Sequence, residues 1–362
     1  MDPIRFNELL AQAAADPENA RTPENWRQLL TTTRELSETI EFRKHFQRRK
    51  SDRLDCHMNF YAPLGTFKPN GKFSVSVRLS GLDVGTITAN QNKKGKKVFT
   101  PKFPKRENIK TIFQNAWNAK TKEETSREWN SPKVYEYLSK LAAARATGEL
   151  RDEQREHWAE SELLLLLNNQ QARRYGIKAH RCPLKGMSHM GLGKSEQNKF
   201  PFQMSVPIVF NCDDKEILRR YPEGYPKPSR SYSGGHVDAL AYRKGEIQIW
   251  EVKDPRLASN NGVDKDAWQA ICQAYAYTLY LATYGADPLR HLTPIKTTNI
   301  KFKAVAVVPN NENLITALKK DWRTISEYEQ KQHRNIELGI LSYSGENFLA
   351  NREITDLKWE IL

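Results

Sequence analysis

Hydrophobic and polar positions change period several times along the chain, and these changes predict the order of its helices and strands. Apolar side chains recur at helical spacing over residues 4–50 and again over 108–145. Between them, over 72–101, residues such as Phe73 and Val75 alternate with polar neighbours, which predicts strands. The first part of the chain is therefore predicted to contain both helices and strands.

Beyond residue 150 the pattern predicts a helix over 152–174, strands over 202–210, 236–242 and 246–253, a helix over 264–284, and a strand over 301–308 that precedes a polar helix. This order predicts helices packed on a mixed sheet, which is an α/β fold. Because the chain is longer than one ordinary domain, we expect two units, a basic N-terminal α+β domain over 1–150 and an α/β domain over 151–362.

A tight hairpin is predicted at Lys244-Gly245, since glycine readily supplies the positive φ that a two-residue loop needs. In that register Leu240 faces Ile249 and Asp238 faces Glu251. Directly opposed residues have Cβ atoms about 4.5–5.5 Å apart. The hairpin therefore predicts two carboxylates close together on one face of the sheet.

Lys253 joins this pair because residues two apart on a strand point to the same face, with Val252 turned away. Two opposed carboxylates repel each other, and a divalent cation such as Mg²⁺, which prefers oxygen ligands, would offset that repulsion. A nearby ammonium group would orient or help to deprotonate an attacking water and stabilise developing charge. The plain alternative is a surface hairpin whose Glu251 and Lys253 are solvated.

These residues also resemble a known family. The runs Gly235-His236-Val237-Asp238 and Trp250-Glu251-Val252-Lys253 are similar to the motif of the PD-(D/E)XK nuclease superfamily, which includes restriction endonucleases and recombination exonucleases. Val237 stands where the motif usually has proline. The resemblance covers about half the chain and does not extend to residues 1–150. It implies a restriction-endonuclease-like core of helix, three strands, helix and strand.

The resemblance implies hydrolysis of DNA phosphodiester bonds with Mg²⁺, which Mn²⁺ can replace. Asp238 and Glu251 would be the metal ligands, and Lys253 would assist the nucleophilic water. It also implies an acidic residue from the first core helix, for which Glu160 and Glu162 are both candidates. Most glutamates on helices are simply solvated, so this last assignment has an ordinary alternative.

The helix after the motif resembles that of one branch of this superfamily. Gln273 and Tyr277 form a Gln-x-x-x-Tyr pair similar to that of RecB-type nucleases, which implies that Gln273 supports the catalytic centre and Tyr277 helps to position DNA. The two residues share a helix face, whereas Cys272, Tyr275 and Leu279 are predicted to be buried. Chance glutamine and tyrosine content is the alternative explanation.

Positive charge is concentrated in one region of a chain whose formal net charge is +14. Residues 43–110 contain 17 lysines and arginines against 4 acidic residues. Such a field suits a polyanion, because each neutralised phosphate releases counterions. The candidate nucleic-acid contacts are Arg48, Arg49, Lys50, Lys94, Lys96 and Lys97. A solubilising surface, an acidic partner protein and a membrane face are the alternatives.

Two classes of protein are disfavoured by the sequence. The longest aliphatic run, at residues 163–167, is too short to cross a bilayer, and the first residues lack the features of a secretory signal, so we expect a cytoplasmic protein without a membrane partner. The four cysteines are scattered, which disfavours a structural zinc site or an iron–sulfur cluster.

The sequence therefore predicts a Mg²⁺-dependent deoxyribonuclease, with an endonuclease of restriction or genome defence as the first expectation. A recombination or repair exonuclease, cleavage of RNA, and a nonenzymatic DNA-binding subunit with a nuclease-like fold are the alternatives. A homo-oligomer or a partner subunit is compatible with the sequence.

Overall fold

A computed structural model of the chain contains two β-sheets and three long helices within the residues that it describes. Those residues are 4, 58–62, 73–79, 82–91, 97–102, 155–167, 183–184, 186–189, 191–192, 200–206, 235–254, 263–285, 289, 299–332, 336–344 and 354–362. The predicted helices over 4–50 and 108–145 lie outside this set apart from Ile4, which is exposed.

The first sheet is formed by seven strands: β1 (Met58–Ala62), β2 (Phe73–Leu79), β3 (Leu82–Gln91), β4 (Lys97–Lys102), β6 (Gly191–Leu192), β7 (Phe200–Val206) and β8 (Gly235–Val237). Its order is β4-β3-β2-β1-β7-β6, and β8 also pairs with β7. β1 runs parallel to β7 and antiparallel to β2. Strands from both sides of residue 150 thus share this sheet, and the predicted domain boundary there stays a prediction.

The second sheet is formed by six strands: β5 (Ser188–His189), β9 (Ala239–Arg243), β10 (Glu246–Val252), β11 (Lys301–Pro309), β12 (Ile336–Ser344) and β13 (Asp356–Glu360). Its order is β13-β12-β11-β10-β9-β5. β10, β11 and β12 are parallel, whereas β9 and β13 run antiparallel to their neighbours. The sheet is therefore mixed, as the α/β expectation requires.

Three helices accompany this sheet: α1 (Arg155–Leu167), α2 (Val263–Tyr280), which continues as a π-helical segment (Leu281–Gly285), and α3 (Glu312–Lys331). α1 lies within the predicted helix over 152–174, whose other residues are outside the described set. α3 begins after Asn311, whose Oδ1 accepts a hydrogen bond from the Leu314 amide at 3.0 Å and so caps the helix. The order of helices and strands confirms the α/β class.

The two faces of the second sheet are covered by different helices. On one face Trp250 and Val252 pack with Leu163 of α1 in a single apolar cluster. On the other face Ile249 is buried, and α2 lies against β10 and β11, while α3 contacts α2 and β12. Because strand residues alternate between faces, the residues of β10 with odd numbers face α2.

The hairpin between β9 and β10 has the predicted turn and register. Lys244 and Gly245 have φ values of 44° and 88°, so both lie in the left-handed region that a two-residue hairpin loop needs. The ladder runs from the Arg243–Glu246 pair to the Ala239–Trp250 pair. The predicted opposition of Asp238 and Glu251 lies one step beyond its last pair.

The described residues contain no helix that combines the length and the apolar composition needed to span a membrane.

Candidate active site

Asp238 lies where the chain passes from one sheet to the other. It is the single residue between β8, which pairs with β7, and β9, which pairs with β10. Its side chain is 8% exposed, and Oδ2 accepts a hydrogen bond from the Val252 amide at 2.7 Å. The carboxylate is therefore held against the end of β10, at the residue that follows Glu251.

Glu251 and Lys253 form an ion pair on the face of β10 that points to α2. Lys253 Nζ lies 2.6 Å from Glu251 Oε1, and both residues are buried. Val252 between them is buried in the cluster on the opposite face. The alternation expected from the sequence thus brings this acid and this amine together, and burial makes their attraction stronger than that of a solvated pair.

Gln273 of α2 is the second partner of the lysine. Its Oε1 accepts a hydrogen bond from Lys253 Nζ at 2.7 Å. The lysine ammonium has three N–H donors. Contacts to Glu251 and Gln273 therefore fix its direction from two sides, one on the sheet and one on the helix.

The backbone of Lys253 is also anchored. Its amide donates to Val307 O at 2.9 Å, and its carbonyl accepts from the Tyr343 hydroxyl at 2.6 Å. Tyr343 is buried on β12 and was not among the residues predicted from the sequence. Its partner is 90 positions away, so no local pattern identifies it.

The acidic residues of α1, Glu160 and Glu162, are both buried. Glu160 Oε2 accepts a hydrogen bond from Gln203 Nε2 at 2.6 Å, and the same nitrogen donates to the Asp238 carbonyl at 3.2 Å. Glu160 is therefore linked to Asp238 through one side chain of β7. Gln203 was also not predicted, and its only local signal is an amide among apolar and aromatic neighbours.

The side chains that could hold a hard divalent cation are the carboxylates of Asp238 and Glu251. Asp238, Glu251, Glu160 and Glu162 are buried carboxylates, and Lys253 is the buried lysine of the described residues. Among those same residues, no group of three or more histidine, cysteine, aspartate or glutamate side chains is arranged to hold a metal ion. Mg²⁺ is commonly bound by one or two carboxylates and several waters, so a pair of acids fits it.

The predicted nucleic-acid contacts are described only in part. Tyr277 is 2% exposed inside α2, and Lys97 is the first residue of β4, where it pairs with Gln91. The remaining candidates, Arg48, Arg49, Lys50, Lys94 and Lys96, lie outside the described residues. The role of each in binding DNA stays a prediction.

The flanking positions of α2 agree with the sequence analysis, since Cys272, Tyr275 and Leu279 are fully buried. Tyr275 donates a hydrogen bond to Glu329 of α3, which joins the two helices behind the site.

Neither a family model, nor a curated protein, nor a solved structure matches this chain.

Proposed function

We propose that this protein is a Mg²⁺-dependent nuclease that hydrolyses phosphodiester bonds in DNA. The observation that carries the proposal is the position of the Lys253 ammonium. It contacts Glu251 at 2.6 Å and Gln273 at 2.7 Å, and the Asp238 carboxylate binds the amide of Val252, the residue between Glu251 and Lys253. Carboxylates that can hold a metal ion, next to an ammonium that can stabilise developing negative charge, are groups that promote this hydrolysis.

Asp238 and Glu251 would hold the metal ion, with Mn²⁺ able to take the place of Mg²⁺. When bound, the ion would polarise the scissile phosphate and lower the pKa of a water ligand. In an ordinary solvated hairpin these acids would be exposed, whereas here Asp238 and Glu251 are buried and are held by the Val252 amide and by Lys253. The burial of these groups therefore favours a working site over the plain alternative.

Lys253 would direct a water molecule towards phosphorus and stabilise the negative charge that develops on the phosphoryl oxygens. Its contacts with Glu251 and Gln273 hold the ammonium in place before substrate binds, so little reorganisation is needed during the reaction. Gln273 would act by keeping the amine aligned.

DNA as the substrate, and an endonuclease of restriction or genome defence, rest on the motif resemblance, and the basic region over 43–110 supports a polyanionic substrate of either kind. The proposal includes a restriction-endonuclease-like core built from α1, β7 to β11 and α2. The order of these elements along the chain supports it.

The test is cleavage of circular plasmid DNA in the presence of Mg²⁺, Mn²⁺ or EDTA. We expect wild-type protein to cut with either metal and not with EDTA. Lys253→Met, Asp238→Asn and Glu251→Gln should each lower the rate by about 10²-fold or more. Lys320→Met on the exposed side of α3 and Glu337→Gln on β12 are matched controls that should keep the wild-type rate.

Linear DNA and RNA of the same sequence, tested in parallel, separate the alternatives. An exonuclease would degrade the linear DNA and leave the circle intact, and an RNA-cleaving enzyme would prefer the transcript. Wild-type protein that binds DNA but cuts no substrate with either metal would overturn the proposal and leave a nonenzymatic DNA-binding subunit.

A further inference from the structure

The Gln203 side chain connects three elements at the site. Its Nε2 donates to Glu160 Oε2 of α1 at 2.6 Å and to the Asp238 carbonyl at 3.2 Å. Its Oε1 accepts from Arg78 Nη1 of β2 at 3.5 Å. Both amide hydrogens and the amide oxygen are therefore engaged in a side chain that is 3% exposed.

We propose that Gln203 is a positioning residue that sets the direction of the Asp238 carboxylate, and that the N-terminal strands are thereby part of the catalytic unit. The effect of Gln203 on catalysis rests on the proposed function. Gln203 acts through Asp238 and does not itself need to touch substrate.

The chemistry of the contacts gives the amide one orientation. Glu160 and the Asp238 carbonyl are both acceptors, so they face the NH₂ end, and Arg78 is a donor, so it faces the oxygen. A flipped amide would place its oxygen against two acceptors. The short contact to a carboxylate is charge-assisted and is the strongest of the three, whereas the Arg78 contact is the longest and weakest.

Asp238 is consequently held at two different atoms. Its carbonyl is bound by β7 through Gln203, and its Oδ2 is bound by β10 through the Val252 amide. Because Asp238 is the single residue between β8 and β9, a displacement of its backbone at the carbonyl would also displace its side chain. Removal of the Gln203 amide should therefore loosen the bond between Oδ2 and Val252.

The N-terminal strands position Gln203 in turn. Tyr61 of β1 is its partner in the parallel ladder, and β2, which carries Arg78, pairs with β1. The chain from β1 to β2 therefore supports both the backbone and the side chain that hold Asp238. The predicted catalytic part, taken from residue 151 onwards, would lack this support.

The Val252 amide provides a direct reporter of the proposal. The dipeptide Glu-Val occurs once in the chain, at Glu251-Val252. Cell-free labelling with carbonyl-¹³C glutamate and ¹⁵N valine therefore gives a single amide signal in a carbonyl-filtered NMR spectrum of the full-length protein. In Gln203→Leu we expect that signal to move upfield and its hydrogen exchange to become about tenfold faster, because its acceptor is less firmly held.

Catalysis should change in a matching way. We expect Gln203→Leu to lower kcat for plasmid cleavage by about tenfold or more, with KM changed less than about twofold, because the aspartate is misplaced while the DNA-binding surface is intact. Arg78→Met should shift the Val252 signal in the same direction by a smaller amount. This second variant keeps the test valid if Gln203→Leu does not fold.

Gln248→Leu is the matched control. Gln248 is a buried glutamine on β10 whose amide bonds to Glu246 and Trp250, away from Asp238. This variant should leave the Val252 signal and kcat at wild-type values. A Val252 signal that is unchanged in folded Gln203→Leu, or that Gln248→Leu moves equally, would overturn the inference. If the wild type cuts no nucleic acid but the signal still moves, the proposed function fails and the positioning contact stands.

Discussion

Lys244 shows how a single residue can be suboptimal in a hairpin that nevertheless forms. Its φ of 44° lies in the left-handed region, which most residues other than glycine, asparagine and aspartate avoid. Gly245, at 88°, supplies the second left-handed position without a steric cost. Asparagine followed by glycine is the preferred pair for such a turn.

We therefore expect Lys244→Asn to raise the free energy of unfolding by about 0.5–1 kcal/mol. The measurement is the midpoint of urea unfolding at neutral pH. Lys244→Val changes the same exposed position to a β-branched residue that disfavours this backbone conformation, and it should lower the midpoint. A midpoint that falls in Lys244→Asn would contradict the turn described here.

At the same scale, the sequence predicts some site residues and cannot predict others. Turn chemistry and strand alternation are local, so the pairing of Leu240 with Ile249 and the shared face of Glu251 and Lys253 follow from neighbouring residues. Gln203 and Tyr343 act on partners 35 and 90 positions away, and their roles depend on how the strands assemble.

Among the helices and strands, too, the sequence predicts some and misses others. The helices and strands predicted between residues 152 and 308 are described close to their predicted places, because strong periodicity marks them, whereas the two-residue strands β5 and β6 were not predicted. β12 was not predicted, and Gly339 in its middle weakens a strand pattern. A Cβ at Gly339 would lie 2.6 Å from Lys303 Cε and 3.3 Å from Trp359 Cζ3. Glycine therefore leaves room for side chains of the two neighbouring strands, and the sequence around Gly339 does not show that these strands are its neighbours.

β13 is attached to its neighbours by a carboxylate near its end. Glu360 accepts hydrogen bonds from Ser342 Oγ of β12 at 2.8 Å and from Lys358 Nζ at 3.3 Å, and Lys319 Nζ of α3 lies 3.6 Å away. Partial burial raises the pKa of Glu360, but hydrogen bonds from Ser342 and Lys358 and the charges of Lys358 and Lys319 outweigh it. The pKa of Glu360 in the folded protein is therefore below the ordinary value of this group.

This shift gives a pH dependence of known sign. A lowered carboxyl pKa contributes stability that is present above the unfolded pKa and is lost as the pH falls through the folded pKa. We expect Glu360→Gln to lower the free energy of unfolding by about 0.5–1.5 kcal/mol at pH 7. The difference from wild type should shrink in acid, as urea unfolding at several pH values would show.

Glu337→Gln is the control for this prediction, since Glu337 is an exposed carboxylate on the adjacent strand. Its ion pair with Lys301 is 3.6 Å long and solvated, so its removal should change stability little at any pH. Equal reductions in stability for the two variants at pH 7, or a reduction in Glu360→Gln that persists unchanged in acid, would contradict the role given to Glu360.

At the scale of the whole molecule, positive and negative charges are concentrated in different parts of the chain. The chain has a formal net charge of +14, concentrated over residues 43–110, whereas the buried groups around Asp238 and Glu251 are mainly acidic. Long-range attraction would bring DNA to the basic region, and the acidic site would repel a phosphate that arrives without a cation. Binding and cleavage should therefore depend on different residues.

Salt dependence tests this separation. With Lys253→Met protein, which should not cut DNA, we expect the affinity for duplex DNA to fall about 10³-fold or more between 50 and 200 mM salt if about six phosphates or more are neutralised. Replacing Lys94, Lys96 and Lys97 together by serine should reduce the slope of log K against log salt by about 0.9 for each phosphate that the variant no longer neutralises. Fluorescence anisotropy of a labelled duplex measures both quantities.

The control removes the same charge elsewhere, through serine at Lys320, Arg323 and Lys331, which are exposed on α3. If net charge alone attracts DNA, the two triple variants should bind equally well at each salt concentration. If the segment over residues 90–97 touches phosphate, only its variant should have the smaller slope, because counterion release depends on the phosphates that are neutralised and not on total charge. Equal slopes in the two variants would remove these three lysines from the binding surface, while the cleavage test at Lys253 would be unaffected.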